Sequence, residues 1–304
     1  MKKSLTLLTF LFVITLKGFS QNADTSALAE VDTSWKSGGF IGLNFNQISL
    51  SQWAPGGENN LSFSSSLSLF ANYSKGKNVW DNNLDLGYGL IQTASDPIRK
   101  SDDKIELNSK YGRRIGEGKW YYSALLNFKS QFAEGYKYPD DSNIVSKFMS
   151  PAYLTVALGI TYKPVEYFEV FFSPVTSKFT FVTDQTLADS GAYGVEKATT
   201  ENGVVVAGTG KTIRSEFGAY LNMKFKKDIM ENITFATKLE LFNNYTDSDK
   251  DNAKNIDVNW ETSLNMKVNK FVTASIVVNV IYDANMIERT QYKHVIGVGF
   301  GYKF

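Results

Sequence analysis

Long runs of strict alternation between apolar and polar residues, repeated along nearly the whole chain, constrain its fold more than any other feature. Between Asp257 and Asn269, Val258, Trp260, Thr262, Leu264, Met266 and Val268 fall on one side. Asp257, Asn259, Glu261, Ser263, Asn265, Lys267 and Asn269 fall on the other. A helix would scatter both sets around its circumference, whereas a strand sorts them onto two faces. The segments Thr212 to Lys227 and Trp120 to Phe132 repeat the pattern.

The same template predicts twelve strands, near 38–50, 60–74, 78–93, 103–115, 120–133, 152–163, 167–181, 212–226, 232–245, 256–268, 271–282 and 291–304. Most exceed the roughly five or six residues usual in soluble sheets and are long enough for a tilted path across a bilayer. Pro174 interrupts the seventh and marks a bulge or an early strand end. Five tight connections, around Gly76, 116–118, 164–166, 228–231 and 269–270, alternate with six longer ones at 51–59, 94–102, 134–151, 182–211, 246–255 and 283–290. That arrangement is an all-β fold, a transmembrane antiparallel up-and-down β-barrel, with tight turns at its periplasmic end and longer loops outside the cell.

Alternation alone does not say which face is outside, since a soluble lipocalin-like barrel turns its apolar side inward. Strand length, the asymmetry of turns and loops, and the charges on the polar face favour lipid outside and water within. No cysteine is present among the 304 residues, which rules out disulfides and thiolate metal sites. Residues 1–20 read as a secretory signal peptide, with Lys2 and Lys3 before an apolar run from Leu5 to Leu16 and small residues up to Ser20. Residues 21–37 follow as a short periplasmic segment, and 38–304 form the barrel. Removing Lys2, Lys3 and Lys17 from 32 basic residues leaves 29 against 31 acidic ones, a balance that recruits no nucleic acid. The expected location is the outer membrane.

The last strand ends Gly299-Phe300-Gly301-Tyr302-Lys303-Phe304, an aromatic alternation that resembles the signal read by the barrel-assembly machinery, so this machinery and outer-membrane lipid are the expected partners. The segment Trp35-Lys36-Ser37-Gly38-Gly39 through Asn44-Phe45-Asn46-Gln47-Ile48-Ser49-Leu50-Ser51-Gln52-Trp53-Ala54-Pro55-Gly56-Gly57-Glu58-Asn59 resembles the opening of a bacteroidete outer-membrane β-barrel family known only as a domain of unknown function, DUF3078. The resemblance is expected to extend over 35–304. It implies an outer-membrane barrel and brings no activity, ligand or catalytic residue with it.

The polar face carries Asp81, Asp85, Lys104, Glu106, Lys110, Arg114, Lys129, Arg214, Glu216, Lys224, Lys238, Glu240, Glu261 and Lys267. Mixed signs at this density either pair between neighbouring strands into a packed polar core or line a water path of weak selectivity. In the first loop, Trp53 and Asn59 either anchor the strand end or turn inward to constrict the lumen. Asp247, Asp249 and Asp251 begin like an oxygen-ligand cation loop but lack its closing acid. The single histidine, His294, faces outward, where a Ser-His lipid hydrolase would need Ser49 or Ser51 as nucleophile and Asn279 or Asp283 as orienting group. No nucleophile motif supports that arrangement, so no catalytic residue and no cofactor are assigned. The 182–211 loop is long enough to fold in as a plug. The leading reading is a small pore or transporter for hydrophilic solutes. A closed structural or adhesion barrel acting through its extracellular loops is the alternative, and a lipid hydrolase the third.

Overall fold

The computed structural model describes residues 34–49, 59–94, 96–138, 140–247 and 255–304. The expected signal peptide, Trp53, Asp249 and Asp251 lie outside these residues. Twelve long strands form the barrel: β1 (Trp35–Ile48), β2 (Asn60–Lys75), β3 (Asn78–Thr93), β4 (Arg99–Arg114), β5 (Trp120–Ser130) and β6 (Ala152–Val165). The second half adds β7 (Phe168–Phe181), β8 (Ile213–Met230), β9 (Ile233–Asn244), β10 (Ile256–Lys267), β11 (Val272–Asp283) and β12 (Ile287–Lys303). Each strand lies antiparallel to its neighbours in sequence, and β12 closes on β1. The all-β, antiparallel up-and-down barrel reading is therefore borne out.

Strand bounds differ from expectation mainly at β8, which runs on to Met230 through the expected 228–231 turn, and at β4 and β12, which begin at Arg99 and Ile287. The β4 and β12 ladders continue past the apolar stretch, β12 pairing Ile287 with Asp283, so these two loops are shorter than the alternation alone implied.

In mid-strand, period two fails at Pro174, and the other register shifts lie near strand ends. At Pro174 the β7 ladder shifts against both neighbours, between Leu158 and Ile160 on β6 and between Gly218 and Tyr220 on β8. Proline offers no N–H to the ladder. The Ser173 hydroxyl takes up the local slack, accepting the Val175 N–H at 3.2 Å. The phase of β7 consequently flips: Glu169, Phe171 and Ser173 face inward before the bulge, Thr176, Lys178 and Thr180 after it.

The outward face is apolar and exposed, with Leu43, Phe63, Leu107, Leu126, Leu158, Phe172, Ile276 and Val298 among its side chains. Aromatic pairs gather at the turn end. Trp35 stacks obliquely on Tyr73 at 5.2 Å and on Trp80 at 5.9 Å, Trp120 on Tyr162 at 4.4 Å, and Tyr167 meets Phe225 edge-on at 5.7 Å. Such a girdle places amphipathic rings at headgroup level.

Candidate functional site

The lumen is divided. Every buried inward side chain of the barrel wall belongs to β4 through β9, except Asp283 at the end of β11. Among the described residues, no residue with a side chain is buried on β1, β2, β3, β10 or β12. One half of the wall thus buries its inward side chains and the other does not.

The packed half is held by ion pairs that cross the lumen. Lys238 Nζ on β9 lies 2.7 Å from Glu106 Oε1 on β4, and Lys129 Nζ on β5 lies 2.5 Å from Glu240 Oε2 on β9. Lys110 on β4 reaches Glu169 on β7 at 2.7 Å. Lys178 on β7 reaches Asp257 on β10 at 2.7 Å and Asp283 on β11 at 3.4 Å. Pairs between adjacent strands are longer, 3.9 Å for Lys129 with Glu106, 3.8 Å for Lys178 with Glu216 and 3.6 Å for Lys224 with Glu169. Pairing between neighbouring strands, one of the two arrangements open from the sequence, is therefore the looser part of this lattice. Lysine stems reach inward from a closed wall, and the opposite wall offers the shorter approach.

Several polar groups around the Glu240 and Glu106 carboxylates are satisfied in turn. The Tyr220 hydroxyl donates to Glu240 Oε1 at 2.9 Å, Asn259 Nδ2 donates to Glu240 Oε2 at 2.9 Å, and Asn127 Nδ2 donates to Asn108 Oδ1 at 2.7 Å. Beside them lies an apolar layer of Leu125, Ala157, Phe171, Tyr220 and Phe242. Buried charges persist where partners and hydrogen bonds offset their desolvation.

The other half is lined by small side chains. Register sets Gly38, Phe40, Gly42 and Asn44 of β1 against Phe70, Ser68, Ser66 and Ser64 of β2, and these against Asn83, Asp85, Gly87 and Gly89 of β3. Gly297, Gly299 and Gly301 continue the wall on β12. Phe40 and Phe70 are the aromatic side chains on this face, both near its turn end. Lys104 on β4 and Glu261 on β10 stand 3.6 Å apart at the boundary, with their side chains 38% and 43% exposed although both point inward. Beyond them β12, β1, β2 and β3 form a crescent of wall on which no side chain is buried among the described residues. Near its loop end Lys293 of β12 pairs with Asp102 of β4, bridging the crescent over β1, β2 and β3.

At the loop end a partly open chamber of about 210 Å³ lies between the packed half and β10 to β12, bounded by Lys129, Tyr153, Lys178, Phe242, Asp257 and Gln291 among others. The 182–211 connection forms a lid at the same end. Helix α1 (Gln185–Asp189) is capped by Asp184, whose carboxylate accepts the Leu187 N–H at 3.0 Å. Val182, Leu187, Ala188 and Val195 form a small core of their own. Gly194, at φ +76°, lies so close on the Arg214 guanidinium that any side chain there would collide with it. The loop is fastened to its neighbours as well, Tyr193 donating to the Val145 carbonyl at 2.5 Å and Lys147 pairing with Asp184 at 2.8 Å. Hydrogen bonding to Lys147 holds the Asp184 carboxyl below its ordinary value, and burial raises the Tyr193 phenol to about 12.

Of the residues singled out from sequence, Lys104, Glu106, Lys129, Arg214, Glu216, Lys238, Glu240 and Glu261 meet in the lumen, and Lys110 and Lys224 meet on Glu169. Arg114 stands at the turn end over the Tyr121 ring, and Lys267 is exposed at the same end. Asn59 serves the loop through its backbone, its carbonyl accepting the Ala94 N–H at 2.9 Å. Asp247 accepts from Asn285 Nδ2 at 3.0 Å, and no group of three metal-ligating side chains occurs among the described residues. His294 pairs in register with Val278 on the outward face. Asn279 and Asp283 instead point inward, to Asn259 at 3.0 Å and to Lys178 at 3.4 Å, so neither can orient His294.

Lys178, Glu169 and the apolar layer escaped the sequence reading. The two charges lie on β7, where the bulge at Pro174 breaks the phase that alternation relies on. The Ser62, Ser64, Ser66 and Ser68 wall was written in the alternation of β2; its meaning emerges only when the facing wall is known to be charged.

Two family models match the chain, one described as protein of unknown function (DUF3078) over residues 45–136 and one as protein of unknown function, DUF481, over 182–304. No curated protein matches. Among solved structures, the COG4313 outer membrane channel from Pseudomonas putida F1 aligns at 13% identity and TM-score 0.40, covering 88% of this chain and 96% of its own. The translocator domain of autotransporter NalP from Neisseria meningitidis aligns at 11% and 0.37, covering 91% of each. Identity this low and superposition this loose tie the chain to neither protein's activity. The resemblance read from the opening segment thus holds over 45–136, where the chain matches DUF3078, and the lid with the last five strands matches DUF481.

Proposed function

We propose that the protein is an outer-membrane channel that passes small hydrophilic solutes along the crescent between the serine-glycine wall and the ion-pair lattice. One observation carries this reading: Lys104 and Glu261 face the lumen yet remain 38% and 43% exposed. Charged groups so placed border water, and a wall of Ser, Gly and Asn beside mixed charges favours neither sign of ion strongly. The lattice on the packed half keeps the wall rigid and narrows the path. In this placement the turns are periplasmic and the lid extracellular. The outward aromatic residues Phe300, Tyr302 and Phe304 of β12 would serve recognition by the assembly machinery.

Reconstitution of refolded protein into planar bilayers tests the proposal. Small, weakly selective conductance steps are expected. A membrane no more conductive than the protein-free bilayer would refute it and favour a closed barrel that acts through its loops.

A further inference from the structure

Besides the Lys110, Lys224 and Glu169 cluster, two ionic networks of the lumen differ in balance. In the middle, Lys104, Lys129 and Lys238 face Glu106, Glu240 and Glu261, three cations to three carboxylates. At the loop end, Lys178 and Arg214 are shared among Glu216, Asp257 and Asp283. Among the described residues that network has one carboxylate more than it has cations. The surplus borders the chamber, since Asp257 and Asp283 both line it. These carboxylates do not converge as metal ligands do.

The remaining walls are those of an organic ligand site. Phe242 and Tyr153 present ring surface, and Phe242 already carries an ammonium, Lys178 Nζ standing 5.1 Å from its ring centre. Aromatic faces beside a carboxylate favour an ammonium attached to an apolar or saturated body. Opposite, Gln291 Nε2 lines the same chamber, buried and with no hydrogen-bond partner among the described residues. A buried donor of this kind calls for an acceptor. At roughly 30 Å³ per water, a volume of about 210 Å³ takes about seven waters or one small molecule.

We infer that the chamber binds a small monocationic amine that also carries hydroxyl or carbonyl oxygens, of the amino alcohol or amino sugar class. Its ammonium completes the charge balance at Asp257, its carbon skeleton lies against Phe242 and Tyr153, and an oxygen accepts from Gln291. The site stands at the loop end between the packed half and β10 to β12, and it needs no passage along the crescent.

Titration calorimetry on the refolded full-length barrel in detergent tests the site, with glucosamine as probe and glucose as its neutral counterpart. Saturable binding of glucosamine is expected, at least tenfold tighter than glucose. Asp257→Asn should lose at least tenfold in affinity while its unfolding midpoint stays at or above the parent's, because the substitution removes the surplus charge. Gln291→Ala should weaken glucosamine several-fold. Absence of saturable binding, equal affinity for glucose, or unchanged binding by a folded Asp257→Asn variant would each overturn the inference. A barrel that binds glucosamine yet passes no current refutes the channel alone, and one that conducts without binding glucosamine refutes the site alone.

Discussion

Lys238 Nζ and Glu106 Oε1, 2.7 Å apart, join β9 to β4 with four strands of the wall between them. Lys129 and Lys104 also border Glu106, at 3.9 and 3.0 Å. Removing one partner of a buried pair strands the other, at a cost of about 3–5 kcal/mol, whereas replacing both with apolar residues is often neutral. Glu106→Gln should therefore destabilise the barrel by about this amount in urea unfolding from detergent micelles. Lys238→Met combined with Glu106→Leu should lose less than Glu106→Gln alone, and a Glu106→Gln midpoint equal to the parent's would contradict the brace.

Lys293 and Asp102 bridge the open crescent rather than the packed half, and their side chains are 51% and 36% exposed. Exposed pairs contribute only about 0–1 kcal/mol. Lys293→Ala should leave the unfolding midpoint nearly unchanged and raise single-channel conductance, because it removes the bridge near the crescent's loop end. Unaltered current through that variant would place the conducting path elsewhere.

The lid depends on charges outside the membrane span. Asp184 is held below the ordinary value of 3.8 by its bond to Lys147, and Asp189 likewise by the Gly208 N–H, with Gln185 and the Gly210 N–H assisting. A lowered carboxyl contributes stability that is present above 3.8 and lost as pH falls through the folded value. Lys147 is raised above 10.5 by the same pair, so its contribution is present below 10.5 and lost above. Amide exchange in 185–210, corrected for intrinsic rates, should show constant protection from about pH 5 to 9 and release at either extreme. A transition near neutrality would contradict this anchoring.

Gly218 allows β8 to pass the Asn243 carbonyl of β9 opposite the Pro174 bulge, a closeness that no Cβ permits. Gly218→Val should cost about 1–3 kcal/mol through overpacking, read as a lower unfolding midpoint. Valine at Gly76, which faces open space at φ +59°, separates the two causes, because it incurs backbone strain without a clash.

The architecture was legible because period two survives through the middle of every strand but β7, the other register shifts falling near strand ends. The inward charges followed from the same phase, which is why Glu106, Lys129, Lys238 and Glu240 were found without any structure. Beyond the reach of alternation was the partner each charge would choose. Lys238 meets Glu106 across a diameter set by strand number and tilt, a distance no local pattern encodes. Lys178 and Glu169 were hidden for a different reason, the phase shift at Pro174. The division of the lumen is likewise global, since Ser66 becomes a channel wall only once β4 to β9 are seen to fill the opposite side.

The chain has no cysteine, so a single introduced thiol probes that division most directly. Ser66, on the open wall, and Asn127, only 4% exposed in the packed half, are each replaced by Cys and treated with a charged, membrane-impermeant thiosulfonate during bilayer recording. The crescent channel predicts rapid modification of Ser66→Cys with a stepwise fall in conductance, and no response from Asn127→Cys. Current through a Ser66→Cys barrel that the reagent leaves untouched, or blockade through Asn127→Cys instead, would contradict it.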